Sequence, residues 1–89
     1  MLVLIYERQF GRDLEKAKKR SKNIKKLLDV IQLLQEGKSL SAKNKNHKLK
    51  GEYIGYWECH IEPDWLLVYQ KSSTELILVR IGSHSDLFR

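Results

Sequence analysis

Three histidines are the side chains of this sequence best suited to acid–base chemistry. His47, His60 and His84 all lie in the C-terminal half of the chain or at its entrance. Because imidazole titrates nearest to neutral pH, histidines that converge on one site can take a proton at one side of a phosphate and give one at the other. Any one of them alone could be a polar residue at a loop or strand edge, but their joint occurrence with Asp64 and Arg80 favours a shared site.

Asp64 and Arg80 are the two charged residues that would complete such a site. Asp64 directly follows Pro63, where it is either a turn residue or a second acid–base group. Arg80 interrupts an otherwise apolar run, so its guanidinium needs an acceptor, which could be Glu58, Asp64 or a ligand phosphate. Arg80 is therefore predicted to form either a structural ion pair or a phosphate clamp.

Two aromatic residues are candidates for contact with RNA bases. Trp65 begins an apolar run and Phe88 lies near the C-terminus. Aromatic rings stack on unpaired bases in many RNA sites, although an aromatic at a strand start or chain end can equally be a packing residue. For Trp57 and Tyr69 we predict a place in the core.

A zinc site is the competing use of the histidines and Cys59. Cys59 and His60 are adjacent, so they would point to opposite faces of a strand, and the paired Cys/His spacing of structural zinc sites does not occur. The sequence also has no glycine-rich phosphate loop, no serine nucleophile elbow and no carboxylate cluster for magnesium. We therefore expect no metal ion and no cofactor, so a nuclease built from these residues would work without metal.

Hydrophobic periodicity indicates the elements that position these groups. Residues 2 to 6 are apolar and β-prone, which predicts a strand, and Phe10, Leu14 and Ala17 then recur on one helical face. A second helix begins near Ser21 or Asn23, either of which can cap it. Its apolar positions are Ile24, Leu27, Leu28, Ile31 and Leu34, and Gly37 is its stop signal. The short join between the helices predicts an antiparallel helical hairpin.

The second half of the chain alternates with the period of a strand. Residues 38 to 50 show no period and read as a basic loop. In the strand that follows, one face carries Trp57, Cys59 and Ile61, and the other carries Tyr56, Glu58, His60 and Glu62. Further strands are predicted over residues 65 to 70 and 75 to 81, with Arg80 sharing a face with Leu76 and Leu78. A polar tail follows at residues 82 to 89.

This order, β-α-α-β-β-β, predicts an α+β fold with the helical hairpin packed on one face of a small, mostly antiparallel sheet. Eighty-nine residues suffice for one core, so residues 1–89 are assigned to a single domain. The place of the N-terminal strand in the sheet is left open. The sheet face without helices is the one expected to carry function.

Charge and composition restrict the setting. The net charge is +6, and residues 12 to 50 hold thirteen of the seventeen Lys and Arg residues, which favours a polyanionic partner such as nucleic acid. The one cysteine forms no intramolecular disulfide and suits a reducing compartment. Apolar runs fall far short of the roughly 20 residues of a membrane span, and the N-terminus lacks the basic start of a signal peptide. We expect a cytoplasmic protein without membrane contact.

Three segments of the sequence together resemble a known toxin family. They are Asn46–Gly51, Cys59–Tyr69 and Arg80–Phe88. In motif content, order and spacing they are similar to the YafQ branch of the RelE/ParE toxin superfamily, and the resemblance extends over nearly the whole chain. It implies the same small α+β fold that the periodicity predicts.

The resemblance also implies a function. It implies the toxin of a type II toxin–antitoxin pair, an endoribonuclease that cuts mRNA in the ribosomal A site and is silenced by a DinJ-like antitoxin. The functional positions carried over by the matching motifs are His47, His60, Asp64, Trp65, Arg80, His84 and Phe88. ParE members of the superfamily poison gyrase instead, and a basic RNA-binding module that does not cut is a further alternative. The three histidines favour the nuclease, because attack by a 2′-hydroxyl needs proton transfer at both ends.

The resulting hypothesis is metal-independent cleavage in which a 2′-OH attacks the neighbouring phosphate and leaves a 5′-OH product. Arg80 would neutralise charge on the phosphorane and His84 would be the general acid. Either His47 or Asp64 would be the base, with His60 orienting the groups and adding charge. Trp65 and Phe88 would bind substrate.

Partners follow from the same resemblance. The lysines of the basic half are expected to bind ribosomal RNA and position the enzyme on the ribosome. They are Lys16, Lys19, Lys22, Lys26, Lys43, Lys45, Lys48 and Lys50. An acidic or amphipathic antitoxin segment is expected on the basic helices or the sheet edge, and operator DNA would be bound only through the antitoxin.

Overall fold

The structure is a computed structural model that describes residues 1–88. Its elements are β1 (Val3–Tyr6), α1 (Arg8–Lys19), α2 (Ile24–Gln35), β2 (His47–Lys48), β3 (Trp57–Glu62), β4 (Trp65–Lys71), β5 (Glu75–Gly82) and α3 (His84–Leu87), with 3-10 turns at Ala42–Asn44 and Gly51–Tyr53. The predicted α+β class is confirmed, and the predicted β-α-α-β-β-β order is confirmed for the six longer elements, to which the structure adds the short elements β2 and α3.

The five strands form one mixed sheet in the order β1-β5-β4-β3-β2. β2, β3, β4 and β5 pair antiparallel, while β1 lies parallel to β5 at the edge. The sheet is therefore mostly antiparallel, as predicted, and β1 occupies the position that the sequence left open.

Two short elements lie in segments predicted to be irregular. β2 is only two residues long and pairs with β3 inside the predicted basic loop, too short for any periodic signal. α3 lies in the predicted polar tail, where the Ser83 side chain accepts from the Asp86 N–H and Asp86 accepts from the Ser83 N–H. This reciprocal pair is a capping box, and Ser followed three residues later by an acid is its sequence signal.

Each of the two long helices is followed, directly after its C-cap residue, by a residue with left-handed backbone. Ser21 has φ of 59° and Gly37 has φ of 74°, and in each case the next N–H reaches back to close the last turn, with Lys22 bonding to Ala17 and Lys38 to Leu33. The N-cap of α2 is Asn23, whose side chain accepts from a backbone N–H in the first turn. Of the two predicted caps, Asn23 is correct and Ser21 instead terminates α1.

The helices cover one face of the sheet. Phe10, Ala17, Leu27 and further apolar residues of α2 pack with Cys59 and Leu67 in one buried cluster. Cys59 and Ile61 face this core and Trp57 packs against it, as the alternation in β3 predicts. Leu66 and Val68 are also buried but lie outside the cluster. They pair directly with His60 and Glu58, so these four side chains share the opposite face.

A β-bulge in β5 reverses the direction of Arg80. Val68 pairs with Arg80 but Tyr69 pairs with Leu78, so one residue of β5 is left over between them. Beyond the bulge Ile81 takes the core side with 2% exposure, and Arg80 turns to the face of Val68. The prediction that Arg80 shares a face with Leu76 and Leu78 is therefore wrong, because a period-two pattern does not register the extra residue.

Candidate active site

The β3–β4 turn and α3 bring Asp64 and His84 together. Asp64 accepts two hydrogen bonds from His84, one from its backbone N–H at 2.9 Å and one from ring Nδ1 at 2.6 Å. These bonds, the backbone one first, hold the pKa of the Asp64 carboxyl below its usual value. With Nδ1 as donor to the carboxylate, the Nε2 atom of His84 is left for a substrate. Asp64 thus orients His84, as a carboxylate orients a catalytic imidazole in other acid–base pairs.

Glu58 connects the other two histidines. Its carboxylate Oε1 lies 3.7 Å from Nε2 of His47 and 3.6 Å from Nε2 of His60, and the residue is only 6% exposed. His47 pairs with Glu58 across β2 and β3, and His60 is two residues farther along β3. Glu58 was not among the predicted site residues, although its place on the His60 face of an alternating strand was a signal for it.

His47 has a fixed ring orientation. Its Nδ1 lies 2.6 Å from the carbonyl oxygen of Lys45, which can only accept, so Nδ1 carries the proton of the neutral ring. Nε2 is then unprotonated in the neutral form. This is the state that a general base requires.

The rings of His60 and His84 complete a continuous series. Their centroids are 5.7 Å apart in an edge-to-face arrangement. Five side chains therefore follow one another in space, each in contact with the next. We call them the histidine row, and in spatial order they are His47, Glu58, His60, His84 and Asp64. The structure thus brings all three predicted histidines and Asp64 into one neighbourhood.

Arg80 is held by a residue that was not among its predicted acceptors. Its Nε and Nη2 donate to the two carboxylate oxygens of Asp13 on α1, at 2.8 and 3.1 Å. These bonds raise the pKa of Arg80 further above its usual value. The acceptors predicted within the protein, Glu58 and Asp64, are not its partners. Asp13 was detectable in principle, since it falls three residues after Phe10 and four before Ala17 on the apolar face of α1, where an acid needs a partner.

A basic groove passes along the end of the sheet. It has a volume of about 1240 Å³ and is lined by α1, α2, residues 43 to 45, the β3–β4 turn and the end of β5. His60, Asp64 and Arg80 all line it, whereas His47 and His84 are not among its lining residues. The groove therefore joins the positive helices to the histidine row at His60 and Asp64.

α3 is fastened to the helical hairpin through Asp86. The carboxylate of Asp86 accepts from Ser83 N–H at 3.0 Å and from Arg20 at 3.1 Å, and Lys16 lies 3.6 Å away. The backbone bond from Ser83, together with these neighbours, lowers the pKa of Asp86. A side chain at Gly82 would place its Cβ 2.9 Å from that of Asp86, so glycine is required for this close approach. The anchored α3 determines where His84 lies.

The two predicted stacking residues differ in accessibility. Trp65 is 2% exposed and belongs to the core cluster, with Nζ of Lys22 5.7 Å from its ring centroid. Trp65 also lines the basic groove described above, but with 2% exposure it offers little surface to a base, so its burial favours packing over the predicted stacking role. Phe88 is partly exposed and contacts Tyr53 edge to face at 5.5 Å. Phe88 stays a candidate for substrate contact.

The lysines predicted to bind ribosomal RNA fall into two groups. Lys16 pairs with Asp86, Lys22 and Lys26 with Glu62, and Lys48 lies over the Trp57 ring. The other four form no ion pair within residues 1–88, and they are Lys19, Lys43, Lys45 and Lys50. The second group has its charge available to an external phosphate.

Two further features bear on metal and membrane. In the described part of the chain, no group of three or more His, Cys, Asp or Glu side chains is arranged to hold a metal ion. Cys59 is buried in the core, and this burial raises the pKa of its thiol to about 12. No helix within residues 1–88 is long and apolar enough to cross a membrane.

Comparison with known proteins places the chain in a family. Residues 2–89 match the family described as the bacterial toxin of a type II toxin–antitoxin system, YafQ. The mRNA interferase toxin YafQ of Escherichia coli K12 is 38% identical over 84 residues, which cover 93% of this chain and 91% of that protein. A putative toxin YafQ of Haemophilus influenzae is 36% identical, covering 96% of this chain and 90% of that protein.

Solved structures agree in fold. The E. coli DinJ–YafQ toxin–antitoxin complex contains a chain that is 36% identical, with a TM-score of 0.92 and coverage of 99% of this chain and 98% of that one. A metal-bound toxin from Helicobacter pylori is 41% identical, with a TM-score of 0.93 and coverage of 99% and 100%. This protein therefore belongs to the YafQ family of toxins of type II toxin–antitoxin systems.

Proposed function

We propose that this protein is an mRNA interferase, an endoribonuclease that cleaves mRNA in the ribosomal A site and so inhibits translation. The similarity to the E. coli interferase over nearly the full chain supports the activity. The single structural observation that carries the proposal is the Asp64–His84 pair with His60 beside it, because a histidine held by a carboxylate next to a second histidine suits proton transfer at a phosphate.

In the proposed reaction the 2′-OH of one nucleotide attacks its own 3′-phosphate. The P–O bond to the next nucleotide breaks, leaving a 2′,3′-cyclic phosphate and a 5′-OH. His84, oriented by Asp64, donates a proton from Nε2 to the departing 5′-oxygen. His47 is the base, since its unprotonated Nε2 can accept the 2′-OH proton. Asp64 is less suited to the role of base, because its carboxylate already accepts two hydrogen bonds from His84 and its pKa is lowered.

Arg80 and His60 supply positive charge in this scheme. The bonds of Arg80 to Asp13 use Nε and one N–H of Nη2, so Nη1 and the second N–H of Nη2 remain to donate to a phosphate oxygen. His60 lies between Glu58 and His84 and lines the basic groove. Such preorganised donors stabilise the charge of a phosphorane without rearranging during the reaction.

We propose that the reaction needs no metal ion bound to the toxin. The expected products carry a 5′-OH, so they can be labelled by polynucleotide kinase without prior phosphatase treatment. Toxin that is treated with a chelator and desalted should cut mRNA on Mg²⁺-containing ribosomes as fast as untreated toxin. Primer extension after brief induction, together with mapping of the 5′ ends of all cellular transcripts, gives the cleavage sites and their ribosome dependence.

Three results would contradict this function. Products with a 5′-phosphate, or activity that the chelator removes and a transition metal restores, would overturn the metal-independent mechanism, a test that the metal-bound H. pylori relative makes necessary. Intact mRNA with accumulating DNA breaks would indicate a ParE-like action on gyrase. Growth arrest that survives combined substitution of His47, His60 and His84 would indicate a module that binds without cutting.

We propose that a cognate DinJ-like antitoxin silences this toxin in the cytoplasm, and that operator DNA is bound only through that antitoxin. Support comes from the solved complex of a similar YafQ chain with DinJ. The eight exposed or partly exposed lysines and the basic groove would face ribosomal RNA and mRNA when the antitoxin is absent.

The lysines without ion pairs should dominate the salt dependence of ribosome binding. Lys19, Lys43 and Lys45, changed together to glutamine, are expected to weaken binding severalfold and to make the plot of log affinity against log salt shallower by about two to three units, because each neutralised phosphate releases counterions. Cleavage on saturated ribosomes should change little. Sedimentation across a salt titration provides the measurement.

A matched triple variant is available as the control. Lys18, Lys25 and Lys38 pair with Glu15, Asp29 and Glu36, so their change to glutamine alters the net charge equally while removing cations that are already partnered. If both triple variants shift the salt dependence alike, binding follows the net charge and the proposed rRNA sites are wrong.

A further inference from the structure

Asp13 is a buried acid whose carboxylate is fully engaged. The residue is 8% exposed and lies on α1 among apolar neighbours. Oδ1 accepts from Gln9 at 3.0 Å and from Nη2 of Arg80 at 3.1 Å, and Oδ2 accepts from Nε of Arg80 at 2.8 Å and from the backbone N–H of Ile81 at 3.1 Å. Four bonds to two oxygens leave the carboxylate little freedom to move.

The position of Asp13 follows from how β1 ends. β1 pairs with residues 75 to 78 of β5, and the next residue, Glu7, still bonds to Leu78 before α1 begins. Within residues 1–88, the remainder of β5 therefore has no strand on that side. Asp13 takes the place of a neighbouring strand by accepting the Ile81 N–H, and the same carboxylate also accepts from Arg80.

The contact fixes the plane of the guanidinium. Two parallel N–H···O bonds define a fork that holds both the position and the tilt of Arg80, which a single bond would not. The bulge in β5 has already directed Arg80 to the face of Glu58 and His60, and Arg80 lines the basic groove with His60. Asp13 thereby restrains an otherwise flexible side chain that is one-third exposed, at 34%.

We propose that Asp13 is a positioning residue for catalysis, acting through Arg80 and not on the RNA itself. This inference rests on the proposed nuclease function. Asp13 has two opposite effects on the reaction. Its bonds orient Arg80 toward the phosphate, while its negative charge reduces the attraction of the groove for RNA. Removal of the charge should therefore lower kcat without raising KM.

Asp13→Asn is the first test, because the amide keeps the shape and one acceptor for the Ile81 N–H but turns an N–H₂ or a neutral oxygen toward Arg80. The kcat of cleavage on programmed ribosomes is expected to fall about 100-fold, the scale of a misplaced catalytic group, with KM unchanged or lower. Asp13→Glu, which retains the charge and the fork, should recover part of kcat. A normal kcat with raised KM would overturn the proposal.

The second test separates positioning from stability. In an Arg80→Gln background, Asp13→Asn should cause no further loss of kcat, since its effect passes through Arg80. Equal losses in both backgrounds would overturn the proposal and assign Asp13 a structural role alone. If Asp13→Asn does not fold, Gln9→Ala, which removes one hydrogen bond to the carboxylate, replaces it in the same comparison with Arg80→Gln, and the expected loss of kcat is smaller. Additive losses of kcat for Gln9→Ala and Arg80→Gln would likewise overturn the proposal.

The two layers of the hypothesis fail in different ways. If the wild-type protein leaves mRNA intact, the proposed function is wrong. If it cuts and Arg80→Gln cuts equally well, the role of Arg80 is wrong and the positioning role of Asp13 falls with it. If Arg80→Gln is impaired while Asp13→Asn is not, only the inference about Asp13 is wrong.

Discussion

Replacement of His84 by alanine is expected to lower kcat for mRNA cleavage on the ribosome by about 100- to 10,000-fold, the range of a general acid. KM should change little, because the change removes the proton donor and leaves the basic groove intact. His84 is exposed, and alanine keeps the backbone N–H that donates to Asp64. The fold and α3 should therefore be preserved.

Single-turnover cleavage with toxin in excess over programmed ribosomes measures this effect apart from binding. Lys25→Ala, which removes an exposed cation paired with Asp29, is the control for nonspecific surface changes. NMR titration gives a second readout: the pKa of Asp64 should rise only part of the way to its usual value, since the first cause of its depression is the backbone bond that remains. A variant that cleaves within threefold of the wild-type rate would exclude His84 as the general acid.

The pH dependence of the pair follows from the direction of that shift. The pKa of Asp64 is lowered in the folded protein, so its interaction with His84 is present above the ordinary carboxyl pKa and is lost as pH falls through the lowered value. Assays between about pH 6 and 9 lie above the ordinary aspartate pKa of about 3.9 and therefore sample only ionised Asp64. Any limb of the rate profile in that interval belongs to another group.

Local sequence patterns predicted the parts of the site that depend on local structure. His60 and Glu58 share a strand face because side chains alternate along β3, and Asp64 lies at a Pro-marked turn between β3 and β4. Their proximity to His84 depends on β5 pairing with β4, which a hairpin order also predicts. The helical periods likewise predicted most core residues of the two helices, namely Phe10, Ala17, Leu27, Ile31 and Leu34. Leu28, predicted on the same face of α2, is exposed, and Val30, which was not predicted, is buried.

Parts that depend on contacts distant in sequence were not accessible in this way. The Asp13–Arg80 pair joins residues 67 positions apart. The choice of partner depends on where β1 ends, at Tyr6, with only Glu7 between it and α1. The bulge at residue 79 inverts the face of Arg80 without any mark in the hydrophobic pattern. For Trp65 the sequence left stacking and packing open, because the buried cluster that contains its ring is assembled from residues far apart in sequence.

The burial of Trp65 leads to the second large effect. Trp65→Ala is expected to lower the free energy of unfolding by about 3 to 5 kcal/mol, since truncation of a large core residue removes buried apolar surface and leaves a cavity. Trp65→Phe should cost less, and Trp57→Ala, at a partly exposed position against the same core, is the matched control with a smaller loss. Chemical denaturation followed by circular dichroism measures all three. If Trp65 instead stacked on RNA, Trp65→Ala would unfold like the wild type and show a raised KM, and its assignment to the core would be wrong.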